Sequence, residues 1–162
     1  MAYFEWADDM AIDDEGPIDQ DHRLLVNLVN ELHTATSRGA GHAVVATILR
    51  RTIDSTREHL AREEELMERM GFPDLEMHKL GHDAFMDDLY RLQKRMEDGS
   101  ITVASQLSTV LRDWLSLHIR RHDKEILKFE RRRKREQRLA GRSTPGVKKP
   151  TLMAKSRLLE SL

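Results

Sequence analysis

Four stretches of this sequence repeat apolar residues every three or four positions; the first three are closed by glycine, proline or a short polar turn, and the fourth can extend into the basic run that follows. That period is the signature of an amphipathic helix, and four such segments in one short chain leave few ways to hide their apolar faces. In the first, Leu24, Leu25, Leu28, Val29 and Leu32 recur, with Asp19 or Asp21 as the expected N-cap and Gly39 as the stop. The second is expected over His42–Met70, on a stripe of Val45, Ile48, Leu49, Ile53, Leu60, Leu66 and Met67. Gly71-Phe72-Pro73 ends it. The third is expected over Asp74–Glu97, with Leu75, Leu80, Phe85, Leu89 and Leu92, and Asp98-Gly99 closes it. The fourth starts near Val103 or Ala104 and carries Leu107, Val110, Leu111, Trp114, Leu115, Leu117, Ile119, Ile126 and Phe129. No alternating strand pattern competes. Short connections force antiparallel neighbours, so the expected fold is all-α, an up-down-up-down four-helix bundle. Residues 1–130 form that bundle with its N-terminal arm, which Tyr3, Phe4 and Trp6 anchor, and residues 131–162 form a basic tail.

The 162 residues suit a single core and include no cysteine. Disulfides, thiolate nucleophiles, iron–sulfur clusters and cysteine zinc sites are therefore excluded, and any metal must be held by His, Asp or Glu. The acidic opening, Met1 to Glu15, lacks the basic and apolar parts of a secretory signal, and no apolar run is long enough to span a bilayer. A cytoplasmic location is the expectation.

The eight histidines carry the chemical information: His22, His33, His42, His59, His78, His82, His118 and His122. His59 and Glu63 are spaced i,i+4 on the second helix, and so are His78 and His82 on the third. Residues at that spacing share a helix face. His22 stands at the entry to the first helix, and His118 lies on the apolar stripe of the fourth beside Trp114 and Leu115. Any one of these is ordinary. A lone helical histidine is usually a surface or hydrogen-bonded residue, and His33 and His42, near helix ends, read that way. Together they place imidazoles on all four helices, in the core where bundles build metal sites. Imidazole and carboxylate without thiolate suit iron, manganese or zinc, and so many donors suit two ions better than one. One spacing resists. His118 and Asp123 are five apart, roughly 140° around a regular helix, so helix geometry alone favours His122 as the partner of His118.

The motifs Ile18-Asp19-Gln20-Asp21-His22, His59-Leu60-x-x-Glu63-Glu64, Gly71-Phe72-Pro73, His78-x-x-x-His82 and Trp114-Leu115-x-x-His118-Ile119-x-x-x-Asp123 resemble those of the hemerythrin family, in particular its bacterial single-domain branch. The resemblance covers residues 4–130. It implies a non-haem di-iron centre, with His78, His82 and His118 on one iron and His22 and His59 on the other. Glu63, Asp123 and an oxo or hydroxo group would bridge them. It favours Asp123 over His122, with a local π-turn to reconcile the spacing. It implies that O2 binds at the open position of the two-histidine iron and is reversibly reduced there to hydroperoxide. Trp114, Leu115, Ile119 and Leu60 would wall the O2 pocket. Two departures stand out. Asp21 replaces a frequent Gln, which is expected to alter the contacts that tune ligand basicity, and Leu60 replaces a frequent Phe, which is expected to widen the pocket.

Charge divides the chain. Residues 1–130 carry 16 Lys/Arg against 26 Asp/Glu, a net −10, whereas residues 131–162 carry 11 against 2, a net +9. The tail is expected to be disordered past Gly141. It reads first as a solvated extension; an anionic partner, a protein or a membrane surface, is the next reading. Without interleaved aromatics it offers no stacking platform, so no specific nucleic acid is expected. The leading functional expectation is reversible dioxygen binding for carriage, storage or sensing, without catalysis. The alternatives are a di-iron peroxidase, oxidase or ferroxidase, or a metal-stabilised interaction module acting through the tail.

Overall fold

The computed structural model describes residues 2–12, 16–100 and 102–142. Its helices are α1 (Pro17–Ser37), α2 (His42–Met70), α3 (Leu75–Glu97) and α4 (Thr102–Leu117). A π-helical turn, His118–Asp123, then leads without a break into α5 (Lys124–Arg142). Each of the first three packs on its successor, and α1 closes the ring against α4. The four-residue connections at 38–41, 71–74 and 98–101 leave no room for crossovers, so the expected antiparallel four-helix bundle is the fold.

Helix boundaries follow local chemistry. α1 begins earlier than its acidic residues suggested. Gly16 is the N-cap and Pro17 takes the first helical position, where its missing N–H costs nothing. Asp19 is therefore no cap. It is fully buried and accepts the Ile12 amide at 2.7 Å, tying the N-terminal arm to the helix. Asn30 does the same further along: its Oδ1 accepts from Phe4 N and its Nδ2 donates to Phe4 O, both at 2.7 Å. The arm also buries Phe4, Met10 and Ile12. At the other end of α2, Gly71 adopts φ 67°, a left-handed conformation that stops the helix. It lets the Gly71 and Phe72 amides satisfy the Glu68 and Met67 carbonyls. Phe72 is thereby turned inward against Phe129 and the edge of the His78 ring.

The core runs the length of the bundle and includes Leu25, Val29, Leu32, Leu49, Ile53, Leu89, Leu107 and Leu111. Four stripe residues expected to join it, Leu24, Leu80, Val110 and Leu117, face solvent instead. Each sits at the margin of its helix's apolar arc, where the neighbouring helix no longer reaches. α5 keeps Ile126 buried and carries Arg131–Arg135 out as regular helix. The part of the expected disordered tail beyond Arg142 lies outside the described residues.

Candidate metal centre

Near one end of this apolar core lies a patch of buried charge. His22, His59, Glu63, His82, His118 and Asp123 are each at most 4% exposed. Their donor atoms fall into two groups. His22, His59, Glu63 and Asp123 each offer an atom within 4.8 Å of the others, and so do Glu63, His82 and His118.

The two carboxylates belong to both sides. Glu63 Oε1 lies 2.8 Å from His59 Nε2 and 3.8 Å from His22 Nε2, while Oε2 lies 2.9 Å from His118 Nε2 and 3.7 Å from His82 Nε2. Asp123 Oδ2 lies 2.6 Å from His22 Nε2 and its Oδ1 3.1 Å from His118 Nε2. The π-turn makes the second arrangement possible. Widening one turn to i→i+5 brings His118 and Asp123 onto the same face, which a regular helix denies them. The side chain of His122, the alternative from regular helix geometry, lies outside the described residues.

The rings are held with Nε2 inward. His59 Nδ1 faces Asp21 Oδ2 at 3.2 Å, His82 Nδ1 faces Glu64 Oε1 at 2.9 Å, and His78 Nδ1 faces the Asp74 carbonyl at 3.0 Å. An oxygen acceptor at Nδ1 fixes the tautomer that leaves Nε2 to bind. His78 is set apart from the others. It is half-buried, it stands outside both tight groups, and its ring centroid is 6.4 Å from that of His82. It lines a cleft of about 360 Å³ together with Met77, His82, Trp114 and His118. A second cleft, of about 470 Å³, reaches the opposite side through Pro17, Asp21, His59, Arg62 and Glu63. Of the apolar residues singled out from the sequence, Leu60, Leu115 and Ile119 are fully buried in the core. Trp114 is partly buried, stacked between Phe85 at 3.7 Å and His118 at 4.4 Å. His33 and His42 are uninvolved: His33 stacks on Tyr3 and His42 Nε2 meets the Met96 carbonyl.

The electrostatics is that of a crowded cluster. Burial opposes the charged form of every member. For His59 and His118 the Glu63 carboxylate outweighs burial, and they are pushed up to about 9 and about 10. Glu63 is correspondingly held well below the usual carboxylate range despite its burial, chiefly by His118 and His59. Burial prevails at His82, which is lowered. Both Asp123 oxygens and His82 Nε2 are buried without a well-angled hydrogen bond. With the close imidazole–carboxylate contacts, these atoms converge on shared points, which is how a metal-ligand set is arranged and is costly otherwise. The residues fit a pair of metal ions.

Fold and site together define a bundle protein with a buried imidazole–carboxylate centre for two metals. The family model for the hemerythrin HHE cation binding domain matches residues 16–129. A bacteriohemerythrin from Stenotrophomonas maltophilia is 36% identical over 123 residues, 76% of this chain and 78% of the relative. One from Methylococcus capsulatus is 30% identical, over 76% and 94%. A crystal structure of a hemerythrin leucine-to-alanine mutant superposes with a TM-score of 0.73 at 28% identity, covering 80% of this chain and 98% of the other. The chain belongs to the hemerythrin family, and its cofactor is that family's non-haem di-iron centre.

Proposed function

We propose that this chain binds dioxygen reversibly and is not an enzyme. His22 and His59 would hold one iron and His78, His82 and His118 the other, with Glu63 and Asp123 serving both. The observation that carries this reading is the division of labour within the carboxylates: each presents one oxygen to each imidazole group. When bound, an iron pair supplies a reversible two-electron couple and, where ligands are fewest, an open position for a small molecule. The protein does the rest. Two carboxylates offset part of the ionic charge, and neutral imidazoles complete each set. The side with only two imidazoles is the side with room for a ligand. Leu60, Leu115 and Ile119 present buried apolar surface that keeps water and protons away, and the Trp114 ring covers His118 on the three-imidazole side. His78, with Nδ1 tied to the Asp74 carbonyl, offers Nε2 as the third donor of its group. No described helix is long and apolar enough to cross a membrane, which is compatible with the cytoplasmic location we assign.

The test is an optical titration. Iron-loaded protein is reduced without air, exposed to O2 and then purged. A visible band that rises with O2 and disappears on purging is expected, with no net O2 consumption. Sustained O2 consumption in the presence of a reductant would instead establish oxidase turnover and overturn reversible carriage.

A further inference from the structure

The side of the centre that holds His22 and His59 carries a device absent from the other side among the described residues. Asp21 spends its two oxygens on two partners. Oδ2 meets His59 Nδ1 at 3.2 Å and Arg62 Nε at 2.8 Å, while Oδ1 accepts from the Arg62 Nη2 group at 2.9 Å. The Arg62 fork thus grips the carboxylate along both edges, a geometry that lysine cannot reproduce. Asp21 is mostly buried and Arg62 half-exposed, so the guanidinium closes the outer side of the contact at the mouth of the 470 Å³ cleft. The other imidazole of this pair, His22, has no acceptor at Nδ1 among the described residues.

Resting on the ligand assignment above, we propose that Asp21 and Arg62 are positioning residues that set the donor strength of His59. They would thereby set the reduction potential and the iron(II) retention of the two-histidine iron. An imidazole whose Nδ1–H leans on a carboxylate gains imidazolate character, donates more strongly through Nε2 and favours the ferric state. With no such contact on His22 among the described residues, the tuning argued here falls on the Asp21 contact. Arg62 acts through Asp21: without the fork, a partly exposed carboxylate turns toward water and the contact to His59 is lost. A surface ion pair of this kind adds little stability by itself, so its effect belongs on the metal and not on the fold.

The experiment uses the full chain, loaded with iron, as wild type, Asp21→Asn, Arg62→Met, Arg62→Lys and the Asp21→Asn/Arg62→Met double variant. The readouts are midpoint potential and the rate of iron(II) loss to a chelator, with helix content and Tm as controls. Asp21→Asn is expected to raise the potential and to weaken iron(II) retention about 10–100-fold. Arg62→Met shifts both the same way by less, Arg62→Lys falls between it and wild type, and the double variant matches Asp21→Asn alone. Variants that keep the wild-type potential and retention overturn the inference while leaving the di-iron reading intact. So does an Arg62→Met effect that adds in full to that of Asp21→Asn, because Arg62 would then act independently. A wild type that binds no iron pair overturns the ligand assignment and this inference together.

Discussion

The two halves of the centre use the same side-chain types under different enclosure. On the α1–α2 side, His22 and His59 are buried within the bundle, and a cleft lined by the Asp21–Arg62 pair reaches His59. On the α3–α4 side, His82 and His118 are buried, but His78 is half-exposed and all three border the 360 Å³ cleft, beside the protruding Met77. Both sides have a carboxylate at an imidazole Nδ1, Asp21 for His59 and Glu64 for His82. The cluster electrostatics divide along a different line: Glu63 raises His59 on one side and His118 on the other, whereas burial lowers His82. Under the proposed reading, the enclosed two-imidazole side is the one that takes the small ligand, and the more open side anchors its metal with a third imidazole.

Glu63 is the strongest point at which to break this comparison, because it serves both sides. Glu63→Ala is expected to remove both irons, seen as iron content per chain falling from two toward zero. It should also lower the Tm of the metal-free protein, since an uncompensated buried charge costs about 3–5 kcal/mol. His22→Leu should be selective, losing the iron of its own side and the O2-dependent band while the other iron remains. Equal loss from both sides would show that the halves are not separable.

Proton and metal compete for the same nitrogens, which yields a pH prediction for the metal-free protein. Folding raises His59 and His118 from 6.5 to about 9 and about 10. Their contribution is therefore fully present below pH 6.5 and fades as pH rises through 9 and 10. Glu63 is lowered from 4.5, so its contribution is present above that value and is lost as pH falls through its folded pKa. The metal-free Tm should be highest between these limits and fall on both flanks, whereas iron loading should flatten the alkaline fall. Thermal melts of the metal-free form from about pH 2 to about pH 11, and of the iron-loaded form on the alkaline flank, check this, and identical alkaline profiles would refute the cluster electrostatics. The smallest effect is expected at Gly71, where φ is 67°. Gly71→Ala should cost roughly 1–2 kcal/mol in the left-handed region. Any effect on metal should fall on the His78 side, which Phe72 buttresses.

Much of this was legible in the sequence because its signals are periodic. Apolar spacing gave four helices, and the Gly71-Phe72-Pro73 turn marked a boundary within one residue of where α2 ends. The i,i+4 pairing of His59 with Glu63 put two donors on one face, as the structure has them. Regular helix geometry failed at Asp123, since a π-turn changes the phase of a helix without altering its apolar pattern; only the family motif pointed there. The roles of Asp19 and Asn30 were also hidden, because each binds a backbone amide of the arm whose path no pattern fixes. Asp21 stood out as an unusual residue, yet its partner Arg62 lies on another helix, 41 positions away, and no local spacing links them. Leu24, Leu80, Val110 and Leu117 fit the apolar period but lie past the edge of the interface, a distinction that needs the neighbouring helix.

The most direct test of the central claim is the state of the iron in the reconstituted chain. Elemental analysis joined with Mössbauer spectroscopy and magnetic susceptibility reads both its amount and its coupling. The account predicts two iron atoms per chain, in unequal environments and magnetically coupled through shared carboxylates. A single iron, or two that are uncoupled, would contradict the bridging roles of Glu63 and Asp123 on which the reading of the site depends.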